Sequence, residues 1–218
     1  MIRAVTELQI ESIEAPLFAS GEATTLALGL VARAQTMGFL PPREGHRVEL
    51  NRDFLDELAE LLRSQGVAAL ATGSLQRATR VEPPDEQEII AALRSTLEAV
   101  DASPRPQAEW APTRDVVGDE LLARLLRISV SSLRRYASAD RRTPDEVAWR
   151  LHLVARLLAA LIGSYNAYGI RRWFERPRKA LDDATPTQAL AQADSEDDER
   201  LRRVVRLADE LTGAAAAA

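Results

Sequence analysis

The sequence predicts a mainly all-α protein, and three observations carry that expectation. Apolar residues recur at helical spacing in one segment after another, capping residues stand just ahead of those segments, and glycine or proline closes them. Strict apolar–polar alternation, the mark of a half-buried strand, is nearly absent.

In chain order, Val5 to Ile13 places Val5, Leu8, Ile10 and Ile13 in a pattern that fits neither period fully, so strand and helix both stay open there. Glu22 to Gly38 reads as a helix through Leu26, Leu30, Val31 and Ala34, closed by Gly38 and by Pro41 and Pro42 beyond it. Asn51 is a good N-cap for Asp53 to Gln65, where Phe54, Leu55, Leu58, Leu61 and Leu62 form one stripe and Gly66 stands at the C-terminal end. A third helix follows Pro84, with Ile89, Ile90, Leu93 and Leu97 on one side and Asp85, Glu86 and Glu88 near its positive dipole end.

Ser103-Pro104-Arg105-Pro106 then removes backbone donors and blocks helix continuation, which makes it the expected domain boundary, with an N-terminal helical domain over 1–108. After it, helices are expected over Asp119 to Ile128, over Ser131 to Ala137, and from Pro144 through about Tyr165. The last is opened by Thr143 as N-cap, Pro144 at the first helical position and Glu146 completing a capping box, and Gly169 is the glycine expected to end it.

With 218 residues and 46% hydrophobic content the chain can bury a core, in one domain or two small ones. No apolar run reaches the roughly eighteen residues of a membrane span, and the opening MIRAVTELQIESIEAP places glutamates where a secretory signal needs an apolar core. A cytoplasmic protein without a membrane partner is expected. The absence of cysteine and the wide separation of His46 and His152 leave no thiolate cluster or histidine pair for zinc, so neither a metal nor a cofactor is expected. Carboxylate-only sites stay open, and Asp53, Asp56, Glu57 and Glu60 are the cluster to consider. Their spacing puts them on the wet face opposite Leu58, which favours solvated ion pairs over an enzyme site.

Charge is distributed unevenly. Residues 113–181 carry fourteen basic and seven acidic residues, a net of +7, whereas 1–112 is net −7 and 182–218 net −5. A basic middle segment suits a phosphate backbone, and acidic flanks suit a basic protein partner; arginines solvating helix faces give the same count. Lys179 is the only lysine, and alanine is abundant, which reads as GC-rich coding.

Residues Leu121 to Tyr136 have the layout of a helix-turn-helix within a unit expected over 113–164. Small Ala123 permits close approach, and Leu122, Leu126, Ile128, Leu133 and Tyr136 supply the internal contacts. That leaves Ser131, Ser132, Arg134 and Arg135 outward on the second helix, a set suited to phosphates and base edges in the major groove, with Arg141 and Arg142 as further phosphate contacts. Arg127 falls in the turn, where glycine is usual because the backbone adopts a positive φ. It is counted with the DNA-facing set.

The most specific stretch follows, over 165–213: Asn166-Ala167-Tyr168-Gly169-Ile170-Arg171-Arg172-Trp173-Phe174, then Pro177, Leu181, Thr185-Pro186 and Leu190. In order and spacing it resembles the Xre/MbcA/ParS antitoxin family, whose helix-turn-helix precedes a toxin-binding domain carrying G-I-x-x-W-F…P…L…T-P…L. The resemblance covers roughly residues 113–213 and leaves the N-terminal half unexplained. It implies a non-enzymatic antitoxin whose partner is a RES-type toxin that acts on NAD, with neutralisation by covering the toxin's active site. It further implies operator DNA as a second partner and a homodimer or a hetero-oligomer with toxin. The implied toxin-binding residues are Asn166, Gly169, Ile170, Trp173, Phe174, Thr185, Pro186, Leu190, Leu207 and Leu211, with the acidic run Asp194 to Glu199 placed to enter a cleft built for an anionic dinucleotide. A solvated linker is the alternative reading of that run, and a free-standing regulator with an N-terminal sensing or dimerisation domain is the alternative for the whole chain.

Overall fold

Local signals become elements wherever a cap and an apolar face coincide. The computed structural model describes residues 9–14, 17–18, 20–40, 47–195 and 197–216; Val5, Leu8, Pro41, Pro42 and His46 lie outside them. The protein is mainly helical, at 71% helix, with two short parallel strands among the described residues. It divides into two compact units, the first up to Pro104 apart from Thr36–Gly38, which group with the second, from Arg105 to Ala216. The cut falls inside the proline-rich stretch that the sequence marks.

In the first unit, β1 (Gln9–Ile13) settles the ambiguous opening as strand over its described part and runs parallel to β2 (Arg47–Leu50). Between them lies α1 (Gly21–Thr36), which buries Ala23, Ala27, Leu30, Val31 and Ala34. Asn51 caps α2 (Arg52–Ser64) as expected, its side chain accepting from Phe54 N at 2.9 Å, and Leu55, Leu58 and Leu62 turn inward. Next comes α3 (Ala69–Arg80), which has no side-chain cap and packs on α2 and on α4 (Glu86–Asp101). Asp85 caps α4 through Gln87 N and Glu88 N. Two ion pairs, Arg94 to Glu22 at 2.6 Å and Arg33 to Asp101 at 2.7 Å, join α4 to α1. Asp56 and Glu60 pair with Arg80 and Arg63, and among the described residues no three acidic, histidine or cysteine side chains gather to hold a metal.

The second unit opens with α5 (Pro106–Val117), whose first residue is a proline of the boundary stretch, so the 1–108 domain overruns into this helix. Then come α6 (Asp119–Leu125), α7 (Val130–Ala137) and the long α8 (Asp145–Ile162), nearly all of whose residues from Arg150 onward are buried. The chain continues through α9 (Ala167–Glu175), a 3-10 turn at Lys179–Leu181, α10 (Pro186–Gln192) and α11 (Glu199–Ala216). The first of these, α5, packs on α6, α7, α8 and α9, and α10 packs on α6, α9 and α11. The helix pair and the region after residue 165 therefore share one core, and the division expected at 164/165 is replaced by a single unit.

Two start and stop assignments change. The N-cap position of α8 is Pro144, without a side-chain cap, because the Thr143 hydroxyl is buried and accepts from Trp110 Nε1 at 3.2 Å. Gly169 does not end α8, which stops at Ile162. It lies inside α9, where a Cβ would come within 3.1 Å of Tyr165 Cβ, so close approach accounts for the glycine. No single helix among the described residues is long and apolar enough to cross a membrane.

Candidate nucleic-acid interface and C-terminal signature

The turn between α6 and α7 is a Schellman closure made without glycine. Ile128 N donates to Ala123 O at 3.0 Å and Arg127 N to Arg124 O at 3.2 Å, with Arg127 at φ 58°. The positive φ inferred from its place in the turn is present. Ser129 then caps α7, its Oγ accepting from Ser132 N at 3.1 Å. Leu122, Ala123, Leu126, Leu133 and Tyr136 are buried, with Tyr136 stacked at 6.4 Å on Trp110 of α5.

On the surface of this pair the basic residues fall into three groups. Arg135 and Ser131 are exposed, Ser131 bonding only within the Ser129–Ser132 cluster, while Ser132 is half-buried there. Arg141 lies over the Tyr136 ring at 5.7 Å, and Arg142 approaches Asp145 at 3.5 Å with both side chains in water, a contact of little energy. Arg134 is exposed yet anchored. Its Nε donates to Asp119 Oδ2 at 3.0 Å, and the same carboxylate takes Arg114 Nε at 2.8 Å. The Arg114 hydrogen bond first, and the Arg134 bond after it, hold the Asp119 carboxyl below its usual range against the opposing effect of burial.

Arg127 departs from the DNA-facing set. Its guanidinium lies 3.4 Å from Ala193 O and 3.4 Å from Asp194 Oδ1, in the connector between α10 and α11. Buried Arg150 meets the same carbonyl at 2.6 Å and Leu190 O at 3.2 Å; its pKa is lowered by burial and then by Arg127. Arg127 thus braces the turn rather than projecting from it. Since its contacts are long and half-exposed, Arg127→Gly should leave the melting temperature nearly unchanged, relief of about 1 kcal/mol of left-handed strain offsetting the greater entropy of glycine in the unfolded chain. Arg127→Val should lower it, because a β-branched residue is strongly disfavoured at positive φ. Thermal unfolding of the two variants checks both.

The signature residues are placed close together, but mostly inside. Ile170, Trp173, Phe174, Leu181, Pro186 and Leu190 are buried, Trp173 meeting Phe174 edge-on at 5.1 Å. Thr185 and Gln188 form a complete capping box at the start of α10, and Thr187 Oγ1 donates to Phe174 O at 2.9 Å. Asn166 caps α9 by accepting from Gly169 N at 2.9 Å. Ile170, Trp173, Phe174, Pro186 and Leu190, expected to face a partner, instead build the core of the unit; their apolar area is already spent on folding. Asn166 stays exposed, whereas Gly169, Thr185, Leu207 and Leu211 are half-buried. Beside them lie two features that the sequence does not single out: Tyr168, 65% exposed on α9, and an open groove between α8 and α11 lined by Arg156, Leu201, Arg202, Val205, Arg206, Asp209 and Glu210. The aromatic pattern drew attention to the stretch, but only burial separates Tyr168 from Trp173.

No family model, curated protein or solved structure matches this chain.

Proposed function

We propose that this chain is the antitoxin of a toxin–antitoxin pair: non-enzymatic, binding operator DNA through α7 and a RES-type toxin through the exposed surface of its second unit. The observation that carries the reading is the α6–turn–α7 pair, closed at positive φ by Arg127 and exposing Ser131, Arg134 and Arg135, in one core with the ordered Gly169-to-Leu190 signature. The net +7 of residues 113–181 supports the DNA arm. For the toxin arm, the burial of Trp173 and Phe174 moves the contact surface to Asn166, Tyr168, the half-buried Leu207 and Leu211, and the acidic run from Asp194. Covering the toxin's active site needs no catalysis from this chain.

Co-expression with a cognate RES-type toxin should give a complex on size exclusion, and Tyr168→Ala should weaken it without lowering the melting temperature. In gel shifts, Arg135→Ala should weaken binding to all sequences alike and reduce the salt slope by about 1. A specific observation favours a second reading. Because the signature aromatics are core, a free-standing regulator would look the same in this unit; it predicts DNA binding with no toxin complex.

A further inference from the structure

Within the DNA-binding reading, on which this step rests, we infer that Asp119 is a positioning residue that fixes Arg134 to read a base, while Arg135 serves a phosphate. The inference starts from which edges of the Arg134 guanidinium are taken. Its Nε is held by Asp119 Oδ2 at 3.0 Å, and no hydrogen bond of its Nη groups is found among the described residues. The side-on edge, made of Nε and one Nη, is therefore occupied, and the end-on edge, made of both Nη groups, is free. Two parallel N–H donors in that fork match the O6 and N7 acceptors of guanine in the major groove.

The anchor is itself held. Asp119 stands in the first turn of α6, its side chain 17% exposed, and receives Arg114 of α5 through Nε at 2.8 Å and an Nη at 3.3 Å. One carboxylate thus joins α5, α6 and α7, and Arg134 projects from a point that three helices fix. Ordering a guanidinium before it meets DNA removes a rotamer cost that a free arginine meets on binding. Arg135, next in sequence, is exposed, and its guanidinium has no hydrogen bond or ion pair among the described residues, so it is left unanchored. An unanchored cation suits a phosphate, which demands charge but little geometry, whereas a fixed fork suits a base edge. Neighbouring arginines with equal propensities are in this way separated by a residue fifteen positions upstream of one of them.

The test uses the full chain and a pool of randomised duplexes, from which the wild-type protein enriches its preferred sequence. Asp119→Ala is expected to lose about ten- to a hundredfold of affinity for that sequence. Its affinity for the unselected pool is expected to hold or rise, since a negative charge near the backbone is gone. A merely structural role would lower both together. Arg134→Lys keeps the charge and spares the Arg114 contact, so it guards against a folding defect; it should show the same loss of discrimination with an unchanged salt slope. Full discrimination by either variant, or a parallel loss on both pools by a folded Asp119→Ala protein, overturns the inference and leaves DNA binding intact. If the wild-type chain enriches nothing, the DNA-binding reading fails and this inference falls with it.

Discussion

Trp173→Ala and Phe174→Ala are each expected to destabilise the second unit severely, lowering its melting temperature by about 10 °C or more. Phe174 is 0% and Trp173 3% exposed, and truncating a buried aromatic to alanine costs about 3–5 kcal/mol. Their edge-on contact adds about 0.5–1.5 kcal/mol beyond area burial. Against a total of roughly 5–15 kcal/mol for an ordinary domain, either loss is a large fraction. At Trp173 a further contact goes, because Arg178 lies over its ring at 5.5 Å. Circular dichroism on heating measures the effect. The expectation also bears on function: loss of a toxin complex in these two variants would report unfolding, not a lost contact. Tyr168→Ala, on the same helix but in water, is the matched control and should melt within a few degrees of wild type. A Trp173→Ala protein that melts like wild type would show that this side chain is not the core residue its burial makes it.

How much of the fold and of the candidate site is legible in the sequence is a question of range. Asn51 with Phe54 and the glycine-like turn at Arg127 are local, so residue type and spacing were enough to place them. The boundary at Pro104 was legible for the same reason. Elements that depend on tertiary partners were not. The helix α3 has a weak apolar pattern and buries Thr72 and Thr79, β2 spans only four residues and pairs with a strand far behind it in the chain, and α5 begins on a proline read as a breaker. In the candidate site, Ser131, Arg134 and Arg135 were legible as an exposed row on α7. Which arginine is fixed was not, because Asp119 is fifteen positions away. The same limit applied to Trp173: spacing puts it on a helix but does not say whether the helix beneath it is its own or a partner's. Thr143 was read as a cap since that is its local preference, and the indole of Trp110, thirty-three positions earlier, claims its hydroxyl.

The contact least visible in the sequence carries the second large prediction. Glu109 of α5 is fully buried, and its Oε1 lies 2.6 Å from His152 Nδ1 of α8 and 3.0 Å from the Arg105 amide. Its Oε2 has no partner among the described residues. A buried carboxylate is tolerable only with partners, so removing one member of the pair exposes the desolvation cost of the other. Glu109→Leu is expected to cost about 3–5 kcal/mol, because it removes an acceptor of both the imidazole and the Arg105 amide from a buried site. His152→Leu should cost a similar amount, since Glu109 then keeps only the amide bond. Glu109→Leu with His152→Leu should be far milder than the two single losses together, because an apolar pair of similar volume in a dry site is often neutral or better. Chemical denaturation of the four proteins completes the cycle, and the coupling it returns should be at least about 3 kcal/mol, the size of one single loss. Strictly additive losses would mean that the carboxylate and the imidazole do not depend on each other, and the joint between α5 and α8 would then rest on the remaining contacts of the two helices.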